Sequence, residues 1–192
     1  MRSAFARKGR TVKVSPAVRI GIGAFVVIGV VVLLASALFN VFSASIHITK
    51  GMDYYRTGRI DDAIAEDRAA VKLTPNNGVA HNNLGFYLFK KGNYAEAEAE
   101  CRKALSLRPN DAAIHDSLGQ ILSHSGRAKE GVQECRIAVE ELPSPVHKNS
   151  LAYALAQAGQ TNEAKQEWRQ VLAMNDSKAA NEAKKMLAKY TR

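Results

Sequence analysis

Hydrophobic and polar positions follow two different regimes along this chain. From Ile20 to Phe39 the sequence IGIGAFVVIGVVVLLASALF carries no charge, and Val41 and Phe42 extend the apolar stretch past Asn40. Twenty residues at about 1.5 Å each reach about 30 Å, the thickness of a bilayer's hydrocarbon core, so residues 20–42 are predicted to form a transmembrane helix. The β-branched run between Val26 and Val32 would favour a strand in water. A lone span in lipid must satisfy its own backbone groups, however, and is therefore helical. Beyond residue 43 apolar residues recur at intervals of three and four, as in Ala97, Cys101, Ala104 and Leu105, which predicts amphipathic helices.

These helices repeat. Gly51, Gly85 and Gly119 are 34 residues apart, as are Gly58, Gly92 and Gly126, and Pro75, Pro109 and Pro143. A fourth copy keeps the pattern in Leu151-Ala152, Gly159, Ala164, Trp168 and Val171, one residue having been lost near Ser144-Pro145. Gly85 and Ala97 allow two helices to approach closely, and Gly92 can adopt the positive φ that ends the first of them. Asn76, Asn110 and Asp111 adjoin the prolines and are candidates to cap the following helices.

In the second copy, AHNNLGFYLFKKGNYAEAEAECRKALSLRP, the residues Leu84-Gly85, Leu88, Gly92, Tyr94, Ala97, Ala104 and Pro109 resemble the tetratricopeptide repeat (TPR) pattern. The chain departs from it at three positions, one of them Lys50 of the first copy, where the family has Leu. His47, His81, His115 and Lys148 stand where the family has a large aromatic, and Asp67, Cys101 and Cys135 stand at a second aromatic position that only Trp168 fills. The resemblance implies an all-α fold: an N-terminal transmembrane helix, then a TPR α-solenoid of about four helix-turn-helix repeats with a C-terminal capping helix. The corresponding organisation is a basic segment at 1–19, the span at 20–42, repeats at 44–77, 78–111, 112–144 and 145–176, and the cap at 177–192. With one glycine and no proline between Phe42 and Met52, the span is expected to run almost directly into the first repeat.

Charge sets the expected orientation. Of the net +9, six basic residues and no acidic ones lie in residues 1–42, leaving 21 basic and 18 acidic residues in the remainder. A basic flank before the span keeps the N-terminus in the cytoplasm and sends the repeats across, most simply to the periplasmic side of a bacterial inner membrane. The apolar core is longer than that of a cleavable signal peptide. The repeats show no basic stripe, so no nucleic-acid partner is expected.

In the TPR family the first helices of the repeats line a concave wall that binds extended or helical peptides. The resemblance places Met52, Tyr55 and Arg56, then Asn82, Asn83, Phe86, Phe89 and Lys90, then Asp116, Ser117, Gln120 and His124, then Asn149, Ser150 and Tyr153 on that wall. Rings beside amides suit a peptide, because the rings bury apolar side chains and the amides both donate and accept. The cation clamp used for chaperone tails is not present, since Ile48, Met52, Ala113 and Ser117 occupy its positions beside Asn83. Three histidines one repeat apart are about 10 Å from each other, too far to share a metal ion. Cys101 and Cys135 are expected as small core residues. No catalytic constellation, metal-ligand spacing or cofactor loop occurs in the sequence, so neither an enzyme nor a cofactor is expected. The expected function is a membrane-anchored scaffold or adaptor for protein partners, including partners themselves in the membrane. The alternatives are a structural accessory subunit of a larger membrane complex and a receptor-like TPR protein of an organelle membrane.

Overall fold

The structure, a computed structural model, describes residues 16–190, with side chains at Phe25 and from Val27 onward. The basic segment expected at 1–19 lies, through residue 15, outside the described residues, as do Thr191 and Arg192. The described residues form helices and no strand: α1 (Pro16–Arg56), α2 (Ile60–Leu73), α3 (Gly78–Lys91), α4 (Tyr94–Leu107), α5 (Ala112–His124), α6 (Ala128–Glu141), α7 (Pro145–Gln157), α8 (Thr161–Ala173) and α9 (Ser177–Tyr190). The chain divides into two compact units, 1–41 and 42–192.

In the first unit the described apolar side chains, including Phe25, Leu33 and Phe39, are exposed. Helix α1 holds the one stretch among the described residues that is long and apolar enough to cross a membrane, with a mean hydropathy of 2.4 and only 6% of its most apolar window buried. A core helix of a water-soluble domain would instead be covered.

The second unit is an α-solenoid. Helix α3 packs on α4, α5 on α6 and α7 on α8, while α2, α4 and α6 each contact the hairpin that follows, and α9 packs on α8. Two glycines of one hairpin show how the sequence shapes it. At Gly92 the backbone has φ 90°, which L side chains rarely adopt, and its amide and that of Asn93 bond back to Phe89 and Leu88 at 2.9 Å, ending α3. Gly85 is helical, but a Cβ there would lie 2.6 Å from Cys101 Sγ and 3.0 Å from the Ala97 carbonyl. It is glycine for space.

The caps differ in part from the sequence reading. Asp111 accepts from Ala113 N–H at 3.0 Å, as expected, but Asn77 rather than Asn76 caps α3, accepting from Val79 and Ala80 at 3.0 and 3.2 Å. A cap must immediately precede the helix for its oxygen to reach the second and third amides. Asn76 and Asn110 are one residue too early.

At the first of the two departing aromatic positions the missing ring is replaced by a polar contact between the repeat's two helices. Each of His47, His81 and His115 places Nδ1 against a glutamate nineteen residues on, Glu66, Glu100 and Glu134, at 2.6, 2.6 and 2.7 Å. In His81 and His115 the other ring nitrogen meets the carbonyl of Pro75 or Pro109, at 2.9 and 3.0 Å. In the fourth repeat Lys148 takes the same place and donates to Glu167 at 3.0 Å. Each pair ties the first helix of a repeat to its second.

Cys101 and Cys135 are free, buried thiols seated against Gly85 and Gly119. Asp67 occupies the equivalent position in the first repeat, where a Cβ on Gly51 would meet its carboxylate. Trp168 restores the aromatic in the fourth repeat, fully buried and stacked on Tyr190 of α9 at 5.5 Å.

Candidate functional site

The first helices of the repeats present rings to one another in sequence. Tyr55 of α1 meets Phe86 of α3 edge-on at 5.3 Å, Phe86 approaches Phe89 at 6.5 Å, Phe89 meets His124 of α5 at 5.0 Å, and His124 stacks on Tyr153 of α7 at 4.7 Å. Such rows arise because helical spacing of three and four places these residues on one face and the solenoid stacks the faces side by side.

Beside this row opens a groove of about 450 Å³. It is lined by Phe86, Phe89 and Lys90 of α3, Asp116, Gln120 and His124 of α5, and Asn149, Ser150 and Tyr153 of α7, with Trp168 of α8 and Ala179, Glu182 and Met186 of α9. Of the fifteen wall residues expected to face a peptide, the groove brings together Phe86, Phe89, Lys90, Asp116, Gln120, His124, Asn149, Ser150 and Tyr153. Met52 and Tyr55 lie outside it, half-buried, although Tyr55 joins the row of rings. Asn82 turns to the second helix of its repeat, where its oxygen faces Cys101 Sγ at 4.0 Å. Asn83 lies beside the buried Asp67, away from the groove lining. Helix α9 supplies a wall that the repeat register did not identify. The available signal was its apolar face, Ala179, Ala183, Met186 and Leu187, which has to be covered by something.

Polar groups in the groove are partly committed to the fold. The Gln120 amide donates to Asp116 at 2.7 Å, and the Asn149 amide donates to the Ala179 carbonyl of α9 at 3.0 Å. Burial raises the Asp116 pKa against the pull of the Ser150 hydroxyl, His147, Gln120 and Lys90. Burial likewise lowers Lys90, opposed by Glu182 and Asp116. The Lys90 ammonium lies over the faces of Phe86 and Phe89, 4.8 and 4.7 Å from their centroids. Among the described residues no group of three or more His, Cys, Asp or Glu is placed to hold a metal ion.

Residues 48–112 match the family model described as tetratricopeptide repeat. Over those residues, about a third of the chain, the sequence is similar to the tetratricopeptide repeat family. Several solved structures share the TPR fold. An O-GlcNAc transferase mutant (K341M) of Thermobaculum terrenum is 21% identical with a TM-score of 0.66, over 70% of this chain and 26% of the transferase, so this chain spans about a quarter of that enzyme. PilF of Pseudomonas aeruginosa is 22% identical with a TM-score of 0.67, over 78% of this chain and 70% of PilF. The first TPR of Spaghetti (RPAP3), bound to the HSP90 peptide SRMEEVD, is 22% identical with a TM-score of 0.58, over 62% of this chain and 95% of that one. Identities at this level establish the fold alone. No curated protein matches the sequence. The TPR fold is in general a non-catalytic scaffold for protein–protein interaction.

Proposed function

We propose that this protein is a membrane-anchored TPR adaptor whose groove holds a peptide segment of a partner protein. The observation that carries the reading is the groove of about 450 Å³, built from the first helices of successive repeats and floored by aromatic rings. Peptide sites need concave apolar surface with a few polar groups for orientation, and Phe86, Tyr153, Gln120 and Ser150 supply both. A TPR relative of the same fold is bound to a peptide, which supports this use of the fold.

The anchor is the apolar part of α1. Its uncovered side chains leave lipid as the environment that would remove them from water, and the basic residues that precede it favour an N-terminus in the cytoplasm with the repeats on the far side, at a bacterial inner membrane the periplasmic one. A partner that is itself in the membrane fits this placement.

The groove reading is tested with Phe86→Ala and Tyr153→Ala, both at half-buried positions. Each should weaken capture of crosslinked partners by the full-length chain about tenfold, as expected for an interface aromatic of roughly 1–2 kcal/mol, with little change in the helical melt. Unchanged capture by both variants would return these rings to a packing role.

A further inference from the structure

Lys90 differs from the other lysines near it. Lys91 pairs with Asp61 and Lys148 with Glu167, but among the described residues Lys90 has no carboxylate within ion-pairing distance and rests on two phenyl rings instead. Asp116 of α5 and Glu182 of α9 attract it from further away. Two ring faces with two carboxylates around one point make a position for a cation, and here the chain fills that position with its own side chain. A lysine is suited to a reversible placement, because its stem is flexible and its ammonium is well solvated once it swings out.

We infer that Lys90 is an internal placeholder, and that the groove takes a peptide presenting an arginine or lysine side chain, which displaces the Lys90 ammonium from Phe86 and Phe89 and sits between Asp116 and Glu182. This rests on the groove being a peptide site. An acidic ligand side chain drawn to Lys90 would instead face those two carboxylates, and like charges brought together in a groove oppose binding. Glu182 is exposed and makes no ion pair among the described residues, so it is available to a ligand.

The two ligand chemistries predict opposite signs for one substitution. The full-length chain in detergent micelles is titrated, by fluorescence polarisation, with labelled short peptide pools that share randomised apolar flanks and differ at one central residue: arginine, citrulline or glutamate. The arginine pool should bind about fivefold more tightly than the citrulline pool, the scale of a partly desolvated cation over aromatic rings. Lys90→Gln should tighten the arginine pool, since the competing cation is gone, and Glu182→Gln should weaken it. Both positions are exposed, and a circular-dichroism melt verifies that the variants fold. An arginine pool that binds no better than glutamate, or whose affinity is unchanged or lower in Lys90→Gln, overturns the inference and leaves the groove a peptide site. Failure of every pool to bind overturns the peptide reading as well.

Discussion

Gly119 and Gly92 belong to equivalent hairpins and ask different things of a methyl group. A Cβ on Gly119 would lie 2.4 Å from Cys135 Sγ and 3.0 Å from the Gly131 carbonyl, so Gly119→Ala must push two helices apart. That should cost about 1–3 kcal/mol, the range for an overpacked core. Gly92→Ala meets no atom within 4 Å and pays only for its φ of 90°, about 1–2 kcal/mol. Denaturant melts of the two variants measure both costs, and equal spacing of the hairpins in both would show that Gly119 is not a contact residue. Asp67 is the other informative residue. Burial raises its pKa from 3.8 to about 7, the Asn83 amide beside it offsets part of that, and Glu66 adds to it. An acid whose pKa rises on folding holds its proton more tightly in the native state. Its contribution is therefore most favourable below about pH 4 and declines as pH rises to about 7. Asp67→Asn should leave stability unchanged below pH 4 and raise it above pH 7 by a few kcal/mol at most, read as the difference between the two proteins' stability-versus-pH curves. A constant difference across that range would mean Asp67 does not titrate there.

Among the elements, α9 is the most consequential for the site. It covers Trp168, the only tryptophan of the chain, and forms one side of the groove. Truncation after Asp176 should expose that indole, shifting its emission to the red and lowering the melting temperature, and an unshifted spectrum would mean that α9 does not cover α8 in solution. The element pattern was largely readable in the sequence. The 34-residue phase points to the hairpins, and α9 (Ser177–Tyr190) falls within the segment 177–192 expected as the cap. The histidine–glutamate pairs are legible there as well. Glu66, Glu100 and Glu134 are themselves 34 apart, each nineteen residues after a histidine, and a charged residue conserved in phase with another across copies is evidence of contact. Glu100 is not simply solvated surface. Instead it holds His81, and Glu98 is gripped by Arg102 and Arg127, both at 2.8 Å.

At the scale of the whole molecule the question is where its two units reside. If α1 spans a bilayer, the full-length chain should stay in the membrane pellet through an alkaline carbonate wash and leave it in detergent. Release by carbonate alone would remove the anchor from the account. If the repeats lie outside the cytoplasm, protease added to intact spheroplasts should cut them, and protection would reverse the proposed sidedness. Neither outcome depends on the groove, so the anchor and the peptide site stand or fall separately.

Local physics is what the sequence by itself determined. The length of the uncharged run, the 3.6-residue periodicity, the glycines that end helices and the phase of the copies are all properties of neighbouring residues, and they were enough for the helices, their order and the repeat fold. The tertiary structure decided which of the wall residues share a cavity. Asn82 and Asn83 sit on the same helix as Phe86, yet they turn toward Cys101 and Asp67, because one helix face is divided between the partner within the repeat and the open side. It also decided that α9 walls the groove and that Glu182 of α9 attracts Lys90 of α3. Those facts depend on residues about ninety positions apart meeting in space, and no local period records such a meeting.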